Sequence, residues 1–120
     1  MKLAVTARGR ELDSPADVRF GRTGGFLVVD TETGDVEYLG NAEASGAAQG
    51  AGIQAARLMA AHGVQVVLTG HCGPNAFRAL HAAGIRVCTG LTGGSIREAV
   101  ERFKAGALQE ATTADVQGHW

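Results

Sequence analysis

Residues 64–80 constrain the fold of this chain most, because the signals of a buried strand, a tight turn and a helix follow one another there directly. A short buried strand is predicted at 64–68 by apolar, mostly β-branched residues: Val64, Val66, Val67 and Leu68. Gly70 ends that strand, and Pro74 suits the first turn of a helix, where its missing N–H costs little. The sequence therefore predicts a strand-turn-helix unit around which the rest of the chain is organised.

The turn of this unit is a candidate binding site formed by Gly70, His71, Cys72, Gly73 and Asn75. The first N–H groups of a helix have no partner within the helix and bind anions, while thiolate and imidazole groups bind soft metals. In a structural interpretation, Cys72 is instead a small buried residue and His71 a hydrogen-bonded turn residue. The chain contains no CxxC or HxxxH spacing, so both interpretations stay open.

Hydrophobic periodicity and turn residues predict the remaining elements. Their order is βββαβαβα, with strands at 2–7, 26–30, 35–39, 64–68 and 85–88 and helices at 49–62, 75–83 and 96–105. Right-handed crossovers then give a three-layer α/β/α fold of the α/β class, with a mixed five-stranded sheet whose second strand is antiparallel to the rest. Ser95 and Glu98 form the capping-box pattern before the last helix. Residues 1–105 are predicted to form one domain and residues 106–120, which lack periodicity, a mobile C-terminal tail.

Charge and composition exclude several classes of function. The 120 residues carry 11 Lys and Arg against 12 Asp and Glu, a formal net charge of −1, whereas a nucleic-acid binder normally has a strong basic excess. No apolar run approaches the roughly 20 residues of a spanning helix, and no signal sequence opens the chain, so we expect a cytoplasmic protein without membrane contacts. Two cysteines make no disulfide framework and are predicted to be reduced thiols.

Topology collects three segments at one edge of the predicted sheet. Strands one, four and five are predicted to be parallel, and ligands in such sheets bind beyond the carboxyl ends of the strands. The arginine-rich loop at 8–22, the turn at 70–75 and the loop at 89–94 follow those ends. The arginines form either an anion-binding rim or a solvated surface with weak ion pairs. The residues expected to contact a ligand are Arg8, Arg19, Arg22, Gly70, His71, Cys72, Gly73, Asn75 and Gly93, with Cys72 and His71 as candidate metal ligands.

Four segments carry a family resemblance: DVRFGR at 17–22, the D-x-x-x-G hairpin at 30–34, GAGIQAA at 50–56 and TGHCGPNAFRALHAAGIRV at 69–87. In order and spacing, the chain resembles the dinitrogenase iron-molybdenum cofactor biosynthesis family, whose small domains are similar to nitrogenase accessory proteins. The resemblance implies a ribonuclease-H-like motif. It also implies that the protein binds or carries a molybdenum-containing metal-sulfur cluster or its precursor, of the molybdenum-copper sulfide or iron-molybdenum type. One departure is Ser45 before Gly46, where many members carry a histidine.

The resemblance further implies a carrier or chaperone, not an enzyme, with other cluster-assembly proteins or ATPases as partners. The residues agree, because no paired carboxylates, Ser-His-Asp set or Walker lysine occur at the predicted edge. The alternative is a thiol-based redox switch or enzyme, in which Cys88 at the end of strand five approaches Cys72 at the same edge. Of the two thiols, Cys72 at the helix N-terminus is expected to matter for metal binding, and Cys88 to be mainly core.

Overall fold

The strands and helices follow the chain in the predicted order, with one strand added near the end. A computed structural model describes residues 1–20, 23–40 and 51–111, with residues 51 and 52 described through their backbone alone. The predicted loop around Ser45 and Gly46 lies outside these residues. The described elements are β1 (Lys2–Ala7), β2 (Gly25–Asp30), β3 (Val36–Gly40), α1 (Ala51–Ala61), β4 (Val66–Leu68), α2 (Pro74–Ala82), β5 (Arg86–Thr89), α3 (Ile96–Lys104) and β6 (Gln109–Glu110).

The described strands form one mixed sheet in the order β3-β2-β1-β4-β5-β6. β1 pairs in parallel with β4, and β4 pairs in parallel with β5, as the two crossover connections require. β2 runs antiparallel to both β1 and β3. The prediction that strands one, four and five are parallel is therefore confirmed. Among the five predicted strands, the second is antiparallel to the others, as expected.

The count of five strands was wrong, because the described residues contribute six strands to the sheet. β6 pairs antiparallel with the end of β5, and the Ala111 N–H extends the contact by donating to the Val87 carbonyl at 2.7 Å. Both residues of β6 are polar and exposed, so no hydrophobic alternation marks them; the backbone of an edge strand creates the pairing. β6 lies within the predicted tail, and residues 112–120 are outside the described ranges, so the domain boundary at 105 stays a prediction.

Alternation along the strands divides the core into two layers. One face of the sheet packs against α1 and α2 through a layer that includes Ala4, Val28, Val67, Val87, Ala56, Met59, Phe77 and Leu80. α3 covers the other face through a layer that includes Leu3, Val5, Leu27, Leu68, Ile96, Ala99 and Val100. β1 lies at the centre, since its residues 3–6 have no exposed surface. Its carboxyl end therefore emerges in the middle of the sheet edge.

The helices of the described ranges are short, with 11 residues in α1 and nine each in α2 and α3. None of these helices combines the length and the apolar character that crossing a membrane requires. α3 begins with the predicted capping box. The Glu98 N–H donates to the Ser95 hydroxyl, and the Ser95 N–H donates to the Glu98 carboxylate, both at 3.1 Å.

Candidate functional site

The carboxyl ends of β1, β4 and β5 lie side by side, because these strands are parallel neighbours. We call this the carboxyl edge. Three segments continue from it: the arginine loop (residues 8–20 of the described chain), the His-Cys turn (69–73) and the glycine loop (90–94). The backbone contacts among these segments define the candidate site.

The arginine loop packs on the His-Cys turn through backbone hydrogen bonds. The His71 N–H donates to the Val18 carbonyl at 2.7 Å, and the Phe20 N–H donates to the His71 carbonyl at 3.2 Å. Arg19 and His71 consequently form a parallel bridge. Both residues are partly exposed. The structure thus brings together two predicted site residues from distant parts of the chain and leaves each of them accessible.

Gly70 lies at the point where all three segments meet. A Cβ atom at this position would lie 2.6 Å from the Leu91 carbonyl oxygen and 2.7 Å from the Val18 carbonyl oxygen, distances that real Cβ atoms do not adopt. The Gly70 carbonyl also accepts a hydrogen bond from the Gly90 N–H at 3.3 Å. Because only glycine permits this approach, Gly70 sets the spacing of the loops around the His-Cys turn.

The helices α2 and α3, which follow β4 and β5, have different N-termini. At α3, the Ile96 and Arg97 N–H groups donate to arginine-loop carbonyls at 2.9 and 2.8 Å, in addition to the capping box. At α2, the N-cap residue is Gly73, which has no side chain with which to cap the helix, and Pro74 occupies the first turn. Since uncapped first-turn N–H groups attract anions, α2 is the better candidate for contacting an anionic ligand.

A buried polar cluster beneath the site was not predicted. Thr6, Thr69 and Asp17 are at most 6% exposed. The Thr6 hydroxyl donates to the Asp17 carbonyl and lies 3.2 Å from the Thr69 hydroxyl, and the Asp17 Oδ1 accepts the Arg19 N–H at 3.0 Å. The available sequence signal was the Asp17-x-Arg19 spacing, because aspartate often bonds the backbone two residues on.

The remaining predicted site residues have less constrained surroundings. Arg8 is exposed where the arginine loop leaves β1. Asn75 is exposed in the first turn of α2, and its Oδ1 accepts a hydrogen bond from the Arg78 Nη2 at 2.7 Å. Gly93 is partly exposed in the glycine loop with φ of 133°, a conformation that favours glycine. Arg22 lies outside the described residues.

Cys72 and Cys88 lie on opposite faces of the sheet. Cys72 is 1% exposed and belongs to the core layer beneath α1 and α2, whereas Cys88 is 2% exposed and belongs to the layer beneath α3. Neither forms a disulfide, and burial raises the pKa of the Cys88 thiol. The expectation that these thiols approach each other was wrong, because alternation along β5 directs Cys88 away from the layer that holds Cys72. The core role expected for Cys88 is confirmed.

In the part of the chain that the structure describes, no three His, Cys, Asp or Glu side chains form a group that could hold a metal ion. The edge instead offers Arg19, His71 and the N-terminus of α2. Cationic side chains and N–H donors of this kind suit a bound anion better than a bare metal ion.

A family profile described as dinitrogenase iron-molybdenum cofactor matches residues 1–106. The chain belongs to this family. The matched region contains the arginine loop, the His-Cys turn and the glycine loop. No curated protein matches the chain.

Solved structures agree with membership of the dinitrogenase iron-molybdenum cofactor family. The apo form of the orange protein from Desulfovibrio gigas matches with a TM-score of 0.93 and 46% identity, over 96% of each chain. A candidate NifB protein from Thermotoga matches with a TM-score of 0.85 and 34% identity, over 98% of each chain. A candidate dinitrogenase from Methanocaldococcus jannaschii, at 14% identity, a TM-score of 0.69 and coverage of 94% and 96%, shares the fold alone. The family recognised from four sequence segments is confirmed, with a likeness to the orange protein.

Proposed function

We propose that this protein is a small carrier that binds an anionic, molybdenum-containing metal-sulfur cluster or its precursor at the carboxyl edge. The bridge between Arg19 and His71, next to the N-terminus of α2, is the observation that carries the proposal. Family membership supports a metal-sulfur cargo. The finer identity of that cargo, molybdenum-copper sulfide or iron-molybdenum, is part of the proposal.

The chemistry of a thiometallate suits these groups. Its negative charge is spread over several sulfur atoms, so guanidinium groups and backbone N–H donors can hold it from different sides. Arg8 and Arg19 supply cations of the proposed site, and we assign Arg22 to it from its position in the sequence alone. The first turn of α2 adds the positive end of a helix dipole. Gly73 and Gly93 are partly exposed and allow a ligand to approach the backbone closely, whereas Gly70 is buried and sets the spacing of the loops.

Copper in such a cluster would favour a soft ligand, and His71 and Cys72 are the candidates. His71 is partly exposed, so its imidazole can reach a ligand at the edge. Cys72 is 1% exposed, and a direct bond from its sulfur to a metal requires the His-Cys turn to open. Noncovalent contacts therefore account for the affinity of the closed His-Cys turn for the cluster. A bond from the Cys72 sulfur to a metal is tested separately.

The proposal includes no catalysed reaction. We take the fold to be the ribonuclease-H-like α/β/α motif of the family, yet β1 has the sequence KLAVTA and carries no acid for a nuclease metal site. A dithiol switch gains no support either, because Cys72 and Cys88 lie on opposite faces of the sheet. We further propose that cluster-assembly proteins or ATPases deliver or receive the cargo.

Reconstitution tests this function. Apo protein is mixed with tetrathiomolybdate, with and without Cu(I), and passed through a desalting column. We expect visible colour, molybdenum and sulfur to elute with the protein, and copper to be retained when it is supplied. Tetrathiomolybdate mixed with a heat-unfolded sample is the control for nonspecific adsorption. Elution of the folded protein without molybdenum would contradict the proposal.

A further inference from the structure

Asp17 is the buried carboxylate of the candidate site. It is 6% exposed, and no other carboxylate among the side chains that the structure describes is buried. Burying a charged group costs free energy unless hydrogen bonds compensate it. Its negative charge also lies beside segments proposed to bind an anion, so simple attraction for the ligand does not explain its presence.

The surroundings of Asp17 connect both halves of the site. Its N–H donates to the Thr6 carbonyl at 2.8 Å, and its carbonyl accepts from the Thr6 hydroxyl. The Thr6 hydroxyl lies 3.2 Å from that of Thr69, which precedes the His-Cys turn. The Asp17 backbone is thus held between the end of β1 and the start of the turn that contains His71.

The side chain of Asp17 then fixes the next part of the arginine loop. Its Oδ1 accepts the Arg19 N–H at 3.0 Å, closing a turn over residues 17–19. Val18 and Phe20, on either side of Arg19, are the residues whose backbones bond to His71. The Asp17 carboxylate therefore fixes the backbone of Arg19, and with it the position beside His71 from which the Arg19 side chain extends.

We propose that Asp17 is a positioning residue, whose side-chain oxygen holds Arg19 beside His71 before the anion binds. This inference rests on the proposed function. A preformed turn removes the ordering cost that a mobile arginine would incur on binding. The role belongs to the oxygen acceptor and not to the negative charge, so an amide at this position can perform it.

The experiment measures tetrathiomolybdate affinity for the full chain and its variants. Asp17→Ala should bind about five- to tenfold more weakly, a loss of the size expected for one ordinary intramolecular hydrogen bond. Asp17→Asn should bind at least as tightly as the parent, because its amide oxygen still accepts and the negative charge is gone. In an Arg19→Ala background, Asp17→Ala should cause no further loss, since it acts through Arg19.

Asp30→Ala is the matched control. The Asp30 Oδ1 accepts the Glu32 N–H at 2.9 Å in a turn of the same kind. That turn follows β2, which runs antiparallel to β1, so it lies at the opposite edge of the sheet. We expect Asp30→Ala to leave tetrathiomolybdate affinity unchanged.

Three results would overturn the inference: parental affinity in Asp17→Ala, equal weakening in Asp17→Asn, or additive losses with Arg19→Ala. If Asp17→Ala does not fold, amide hydrogen exchange of the apo parent tests the turn instead. The Arg19 amide should be protected from exchange, and an unprotected Arg19 amide would refute a preformed turn. Failure of the parent itself to bind tetrathiomolybdate would instead count against the proposed function, and the exchange of the Arg19 amide still tests the turn.

Discussion

At the scale of single residues, Gly70 has the most restricted position at the carboxyl edge. Its absent side chain lets the carbonyls of Val18 and Leu91 approach within 3 Å of where a Cβ would lie. Backbone atoms cannot move aside as a flexible side chain can, so any larger residue must displace a loop. Packing at Gly70 therefore links the stability of the fold to the geometry of the proposed site.

Gly70→Ala should lower the free energy of unfolding by about 1–3 kcal/mol, the typical cost of overpacking. It should also weaken tetrathiomolybdate binding, because the arginine and glycine loops both shift. Gly24→Ala is the control: Gly24 is exposed and an added Cβ would meet nothing within 4 Å, so its effect should stay within about 0.5 kcal/mol. Urea unfolding measures both variants, and parental stability in Gly70→Ala would contradict the packing argument.

The two cysteines form a natural pair of variants, because their exposures are 1% and 2%. A serine hydroxyl at either position should destabilise the protein, since both residues belong to hydrophobic core layers. We expect Cys72→Ser to reduce cluster reconstitution with tetrathiomolybdate and Cu(I), and Cys88→Ser to leave it unchanged. Metal analysis of the desalted proteins makes the comparison. If both variants assemble the parental cluster, the Cys72 thiol has no role in holding it.

At the scale of elements, the start of α3 provides a pH-dependent contribution to stability. Hydrogen bonds from the Ser95 N–H and hydroxyl lower the pKa of the Glu98 carboxyl. A carboxyl whose pKa is lower in the folded state stabilises the fold at pH values above its unfolded pKa. This contribution is lost as the pH falls through the folded pKa.

Glu98→Gln should therefore show a smaller loss of stability than the parent as the pH falls through the range in which glutamates protonate. Glutamine can keep the capping-box hydrogen bond without a titrating group. Glu101→Gln, an exposed position on the same helix that does not cap it, should follow the parental profile. Chemical unfolding at a series of pH values measures the difference. Parallel profiles for the parent and Glu98→Gln would rule out the assigned role of the cap.

The sequence correctly predicted the elements whose formation is indicated by residues close together in the chain. β1 is found with the predicted bounds, and the capping box of α3 lies where Ser95 and Glu98 indicated. β6 was missed because its pairing depends on the backbone of β5, and two polar residues give no alternation. The face on which Cys88 lies follows from the pleat of β5, which a sequence predicts only when the strand register is known.

The candidate site shows the same division between local and long-range information. The order of parallel strands was enough to predict that the arginine loop and the His-Cys turn share an edge. The bridge between Arg19 and His71, and the buried position of Asp17, depend on hydrogen bonds between segments far apart in the chain. Sequence patterns contain no distance information of that kind.

At the scale of the whole molecule, net charge limits how an anion can be recognised. The chain carries a formal net charge of −1, so its overall field gives no attraction for a dianion. Binding must depend on a local group of cations and N–H donors. Arg19 lies within this group at the carboxyl edge, whereas Arg102 is exposed in the last turn of α3.

Arg19→Ala should consequently weaken tetrathiomolybdate binding by about tenfold, a value at the lower end for a hydrogen bond to a charged group because Arg19 is partly exposed. Arg102→Ala removes the same formal charge at the opposite end of α3 and should leave the affinity close to parental. Raising the ionic strength screens exposed charges, so the parent should lose affinity with added salt and Arg19→Ala should lose less. Titrations at low and high salt compare the three proteins. Equal affinities and equal salt dependence for Arg19→Ala and Arg102→Ala would identify Arg19 as a solvated surface residue. The two variants have the same net charge, so only direct contact between the Arg19 guanidinium and the anion can make their affinities differ.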